Sequence, residues 1–298
     1  KYHPVHIRIK IKENSKTINP KTFISPGGNE IELYFKKNIK KLNFPNKLEI
    51  NQNNDSWSDG RAGMLYRDLL PSRYGNSVIA SHIKLDTIGR VNDRVHCHDV
   101  NLQVLYCLKG KVKLAYENQK NYIIFQTGDC ILQPPQIRHQ VIETYEPLEV
   151  IEITSPAEHI TKIDYDLSLP NKEKTNFNKK SKKEFLHYID SDLEQNSTFP
   201  YFTEKSTGVY EASSQYADLL IIKSNSSYQF NFLHNNLFLF FYVLSGSLKL
   251  VYEQKEYDLI ASHSFALPRN KKVCFVGDNK VKLLQLSIPG KAEIKLIQ

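Results

Sequence analysis

The sequence predicts an all-β protein built as two tandem barrels, and three observations carry that prediction. Most of the chain consists of short alternating or apolar stretches closed by Gly, Pro, Asn and Asp, the pattern of strands joined by turns. One strand–turn–strand segment occurs twice: "NLQVLYCLKGKVKLAYEN" (101–118) lies over "LFLFFYVLSGSLKLVYEQ" (237–254) without a gap. Helical spacing of apolar residues is confined to one short segment. A repeat period this long indicates duplicated domains rather than a solenoid.

The elements follow in chain order. "VHIRIKIK" (5–12) sets Val5, Ile7, Ile9 and Ile11 on one face, and is expected to extend the edge of a barrel sheet with its lysines and arginine toward solvent. With "EIELYF" it makes residues 1–50 a set of N-terminal strands packing on the barrels. Residues 51–160 form the first barrel, with "SVIASHIKL", "QVLYCLKG", "KVKLAYE", "YIIF", "CILQPP", "HQVIET" and "LEVIEIT" as its strands. Residues 161–200 are a polar, lysine-rich connection. Within it, Phe185, Ile189 and Leu193 stand at i, i+4 and i+8, which predicts one short helix packed on a barrel. Residues 201–298 form the second barrel: Gly110 falls on Gly246, Tyr116-Glu117 on Tyr252-Glu253 and Pro134 on Pro268.

Composition narrows the partners. The 298 residues carry a net charge of +8, concentrated in "KKNIKK" (36–41) and "NKEKTNFNKKSKK" (171–183), both in polar, Asn-rich surroundings. Such runs are solvated surface rather than a nucleic-acid face, so no nucleic-acid partner is expected. A small acidic substrate suits this charge. The longest apolar run, "LFLFFYVL" (237–244), fits a buried strand and falls short of the roughly 20 residues of a membrane helix, so no membrane partner is expected either. Four cysteines without CxxC spacing, and no visible signal peptide, predict reduced thiols and a cytoplasmic location. A homodimer is compatible with the sequence.

The chemistry concentrates in "RVHCHDVNLQVLYCLKG" (94–110). Residues two apart on a strand point the same way, so His96 and His98 converge while Cys97 turns to the other face. Gln103 opens the next strand, and His139 follows a turn able to return it to the same spot. Three imidazoles plus an oxygen donor suit one borderline divalent transition metal: Fe, Ni, Mn, Zn or Cu.

These residues resemble the cupin superfamily, whose two motifs run G-x5-H-x-H-x3,4-E-x6-G and G-x5-P-x-G-x2-H-x3-N. Here they read Gly89, His96, His98, Gln103, Gly110, then Gly128, Pro134, Gln136, His139. The first Gly–His spacing is one residue longer; Gln103 stands for Glu, Gln136 for Gly and Glu143 for Asn. The resemblance implies a bicupin of double-stranded β-helix (jelly-roll) barrels, with His96, His98, His139 and Gln103 as metal ligands. In the second copy the matching residues are Phe232, His234, Val273 and Leu239, too few donors for a metal, so that barrel reads as degenerate and structural.

A neutral fourth ligand leaves the metal its full charge and favours an anionic or oxygen-rich ligand. The 3-His/1-Gln set is similar to that of cupins that rearrange unsaturated sugar acids in pectin breakdown, and of a bicupin isomerase of dipeptide-antibiotic (bacilysin-type) biosynthesis. The reading is therefore a metal-dependent isomerase or lyase acting on a small oxygenated acid. The alternatives are an Fe-, Ni- or Cu-dependent dioxygenase and a non-catalytic metabolite-binding or sensor protein. Glu143, four residues after His139, shares its face by alternation and is the candidate acid–base. His82, Arg138, Arg61 and Arg67 are the candidate substrate-binding residues.

Overall fold

The computed structural model describes residues 7–11, 21–25, 30–35, 42–52, 56–171, 182–278 and 280–298. The chain divides into two units, Lys1–Leu42 and Asn43–Gln298. In the first, Glu30–Phe35 is the middle of a three-stranded sheet, parallel to Ile7–Ile11 and antiparallel to Lys21–Ile24. The strand expected on a barrel edge thus finds its partner locally, with Ile7, Ile9 and Ile11 in register with Ile31, Leu33 and Phe35.

The second unit is mostly strand, with single helical turns at Arg73–Asn76 and Val209–Ala212 and a 3-10 turn at Arg61–Gly63 among the described residues. It contains two barrels, each of two sheets. In the first, a seven-stranded sheet has Leu102–Lys109 and Leu148–Ser155 at its centre, and Cys130–Leu132 and Ile79–Leu85 beside them. The facing sheet carries Lys111–Tyr116, His139–Thr144 and His96–His98. The second barrel repeats the plan: Phe238–Ser245 lies between Lys282–Ile288 and Ser264–Ala266, and faces a sheet built on Ser247–Tyr252 and Tyr228–His234. Glu49–Asn51 joins the edge of the second barrel through Ser264–Ala266.

Alternation along the duplicated strands divides the core. Leu102, Val104 and Tyr106 of one copy pack with Phe238, Phe240 and Tyr242 of the other in a single cluster between the two large sheets. Their odd-numbered neighbours turn inward: Cys107 to the lumen of the first barrel, Leu239, Phe241 and Val243 to that of the second. Both hairpins turn on a glycine with positive φ, Gly110 (+92) and Gly246 (+76), where a Cβ would strike the carbonyl of Pro147 or Lys280.

The helix predicted around Phe185, Ile189 and Leu193 does not form. Leu186–Tyr188 is a strand that pairs with Cys130–Leu132 at the edge of the first barrel. Phe185 packs on Tyr116 with ring centroids 4.7 Å apart, whereas Ile189 and Leu193 are 62% and 83% exposed. An unpaired sheet edge offering backbone hydrogen bonds outweighs three apolar residues at helical spacing. Among the described residues no helix is long and apolar enough to cross a membrane.

Candidate metal centre

Strand pairing brings the histidines together. His96 stands opposite His139, and His98 opposite Thr161, so two strands and the turn before His139 converge at one end of the first barrel. Ring centroids are 5.1 Å apart for His96–His98, 4.2 Å for His96–His139 and 5.4 Å for His98–His139. One ligand atom from each ring lies within 4.8 Å of the others, and all three side chains are buried. Among the described residues this is the one cluster of His, Cys, Asp or Glu with that geometry.

The outer ring nitrogens are engaged. His96 Nδ1 donates to the Arg94 carbonyl at 2.7 Å, and His139 Nδ1 to the Ile137 carbonyl at 3.0 Å. His98 Nδ1 lies 3.0 Å from the Thr161 hydroxyl. A carbonyl can only accept, so His96 and His139 carry their proton on Nδ1 and keep an Nε2 lone pair. His96 Nε2 is buried without a hydrogen-bond partner. Burial, then the Arg61 guanidinium, hold His96 down to about 4. Burial, then neighbouring His96, hold His98 down to about 3. Burial likewise holds His139 well below the usual range. Three neutral imidazoles, one with an orphaned lone pair, fit a borderline divalent metal.

Gln103 faces the lumen beside them, 3% exposed, and its Nε2 donates to Glu152 Oε1. Sequence reading missed Glu152, although a signal was present: in "LEVIEIT", Leu148 and Val150 line the cavity, and Glu152 continues their alternation. Cys97 turns away toward Arg138 and Lys162, as alternation requires.

A cavity runs inward from His139. Its walls are largely apolar, formed by residues such as Ile83, Leu114, Phe125, Leu148 and Val150. Its polar groups include Arg61, Gln103, Gln133, His139 and Glu152. Arg61 Nη1 lies 2.9 Å from Asp93 Oδ1 and 3.0 Å from His96 Nδ1, at the rim.

The other candidates lie elsewhere. Glu143 does not share the face of His139. Lys113 pairs with Glu143 but Leu114 with Val141, a bulge that inserts one residue and reverses the alternation. Its carboxylate meets Lys113 Nζ at 2.6 Å on the outer surface. Arg138 is held by Asp164 (2.7 Å) and Glu117 (3.2 Å), also outside the barrel. His82 and Arg67 sit on the opposite side of the large sheet from the cavity. Arg67 Nη2 lies 2.8 Å from His82 Nδ1, and His82 Nε2 2.9 Å from Glu149 Oε2, with Trp57 and Tyr242 packed on the imidazole. Alternation explains this: Ile83 and Leu85 take the lumen face of that strand, leaving His82 with Ala80 toward the second barrel.

In the second barrel, Phe232, Leu239 and Val273 occupy the matching positions within a packed aromatic lumen. His234 is fully buried, and its Nε2 donates to the Leu267 carbonyl at 3.2 Å.

Comparison with known proteins agrees with this architecture. Residues 88–154 match the cupin domain family. No curated protein matches the chain in sequence. Among solved structures, oxalate decarboxylase from Lactobacillus farciminis is similar with a TM-score of 0.60 and 12% identity, covering 81% of this chain and 86% of that one. A salicylate 1,2-dioxygenase from Pseudaminobacter salicylatoxidans is similar with a TM-score of 0.56 and 11% identity, covering 74% and 75%. At such identities the likeness concerns the fold. The chain has a two-barrel cupin fold, and its match to the cupin domain family covers the barrel that gathers the three histidines.

Proposed function

We propose that the first barrel is the active centre of a metal-dependent enzyme that oxygenates a small acid with an apolar, ring-like body. The observation that carries this reading is the cavity wall: apolar side chains line it beyond the polar groups near His139. A sugar acid would bury several hydroxyls there without partners, at about 1–3 kcal/mol each. An apolar ring body packs on the apolar part of that wall without burying hydroxyls of its own.

A divalent metal such as iron or manganese, when bound, would supply Lewis acidity and one-electron redox chemistry. His96, His98 and His139 would hold it, with the Gln103 amide oxygen as a fourth donor. Gln103 Nε2 meanwhile fixes Glu152, whose carboxylate can take a proton from the substrate. Arg61 at the rim offers a cation to the substrate's carboxylate. The apolar wall excludes water from the reacting end. The second barrel acts as a structural support, since its lumen is filled by aromatic side chains.

Glu152 favours a second reading, isomerisation or elimination on a small oxygenated acid, because a carboxylate held in the lumen is what proton transfer needs. Oxygen uptake separates the two. The protein loaded with ferrous iron should consume oxygen in step with loss of an aromatic acid substrate, and be inert under argon. Equal turnover with and without oxygen would favour the isomerase or lyase.

A further inference from the structure

Across the large sheet of the first barrel, behind the cavity, stands a polar cluster that the reaction above does not use. Leu65–Asp68, Ile79–Leu85 and Leu148–Ser155 lie side by side, and Arg67, His82 and Glu149 meet on the face toward the second barrel. Their chain neighbours Tyr66, Ile83, Leu148 and Val150 line the cavity, so the three stand on the back of its wall. Arg67 and His82 are 5% and 4% exposed, and the Glu149 side chain 28%.

Geometry fixes the proton on the imidazole. Arg67 Nη2 lies 2.8 Å from His82 Nδ1, and a guanidinium can only donate, so Nδ1 accepts and carries no proton. His82 Nε2 therefore bears the N–H and donates to Glu149 Oε2 at 2.9 Å. This is the opposite tautomer from His96 and His139 at the metal end. A proton added at Nδ1 would aim an N–H at the guanidinium and set two like charges in contact. The same proton would turn the bond to Glu149 into an ion pair. The imidazole thus has two partnered states, one shared with Arg67 and one with Glu149 alone.

The other groups facing it among the described residues are Lys84 on its own strand, Tyr242 of the second barrel and the Trp57 indole. The Tyr242 hydroxyl also touches Arg67, and burial keeps that phenol protonated, while His263 senses the Arg67 charge. Burial, then Arg67, hold His82 below its ordinary value, with Glu149 opposing them.

We propose that His82 is an acid-operated switch in the seam between the barrels: protonation at Nδ1 expels Arg67 and leaves an imidazolium paired with Glu149. The direction follows from linkage. The unfolded chain takes this proton at about 6.5 and the folded chain only below that value, so the neutral seam loses stability as pH falls under about 6.5. The switch acts within that acid range and lies outside the metal-binding set.

Trp57 is the only tryptophan of the chain, with its ring 5.1 Å from the His82 ring and 5.2 Å from the Arg67 guanidinium carbon. An imidazolium quenches a neighbouring indole, so Trp57 emission reads the switch directly. The test is emission of the full chain titrated downward from about pH 8, ending where circular dichroism shows acid unfolding. The wild type should lose intensity in one reversible step with a midpoint below about 6.5. His82→Gln should abolish the step. Arg67→Met should raise the midpoint by about one pH unit, because a cation leaves, and Glu149→Gln should lower it by about one unit, because an anion leaves. A merely structural role would not move the midpoint in opposite directions. Should Arg67→Met fail to fold, Glu149→Gln, at the partly exposed member, carries the same test. A flat wild-type titration, a step that survives His82→Gln, or a midpoint indifferent to the Glu149 charge overturns the proposal.

Discussion

Gln103→Glu tests the contact that organises the polar end of the cavity. In the wild type, the Gln103 amide donates to Glu152. The substitution replaces that hydrogen bond by two facing carboxylates. At about 4 Å and an effective dielectric near 20, their repulsion is about 4 kcal/mol. Glu152 is half-buried, so solvent screening brings the expected cost to about 2–4 kcal/mol. The sign with pH follows from linkage. Repulsion raises the folded-state pKa of the pair above the unfolded glutamate value, so the deficit is full above the raised pKa. It shrinks as pH falls through that value and disappears below about 4.3. Urea unfolding of chelator-treated protein should therefore show the full deficit near about pH 8 and about 1 kcal/mol or less near about pH 5. Added divalent metal should restore part of the loss, since the second carboxylate then faces a cation. Equal stability of variant and wild type at both pH values would refute the Gln103–Glu152 contact, and with it the role given to Glu152.

Three further outcomes are expected. Asp218 is buried with its Oδ1 unpaired, and burial raises its pKa to about 6. It therefore destabilises the fold above about pH 6 and is relieved as pH falls toward its unfolded value, so Asp218→Asn should gain about 1–3 kcal/mol near about pH 8 and nothing near about pH 4, read by urea unfolding. Replacing His96, His98 or His139 by Ala should abolish tight metal binding measured by elemental analysis, whereas Cys97→Ser, on the opposite face, should retain it. Gln136 holds a positive φ of 63 at a position where the cupin motif has glycine. Gln136→Gly should shift stability by about 1 kcal/mol or less, because relief of strain offsets unfolded-state entropy, while β-branched Gln136→Val should cost about 1–2 kcal/mol, both read by thermal unfolding.

Much of this molecule was legible in the amino-acid order, because its signals are local. Period-two alternation identified the strands, and the ungapped match of 101–118 to 237–254 identified the duplication. His-x-His on one strand fixed two of the three converging imidazoles, since side chains two apart cannot diverge on a pleated sheet. The same alternation contains Glu152, whose neighbours in the sequence read as ordinary core. What failed depended on contacts remote in sequence. Glu143 left the lumen because of one bulge opposite Lys113 and Leu114, and a bulge arises from the pairing of two strands rather than from either sequence alone. His82 and Arg67 went to the face between the barrels, which parity cannot distinguish from the lumen when both faces of a sheet are buried. Residues 182–195 gave up a helical pattern for the free edge of Cys130–Leu132, an edge that exists only once the barrel has closed. The sequence thus determined which residues share a face. Tertiary structure decided which face lines the cavity, because a strand buried on both sides carries no mark of which side will enclose it.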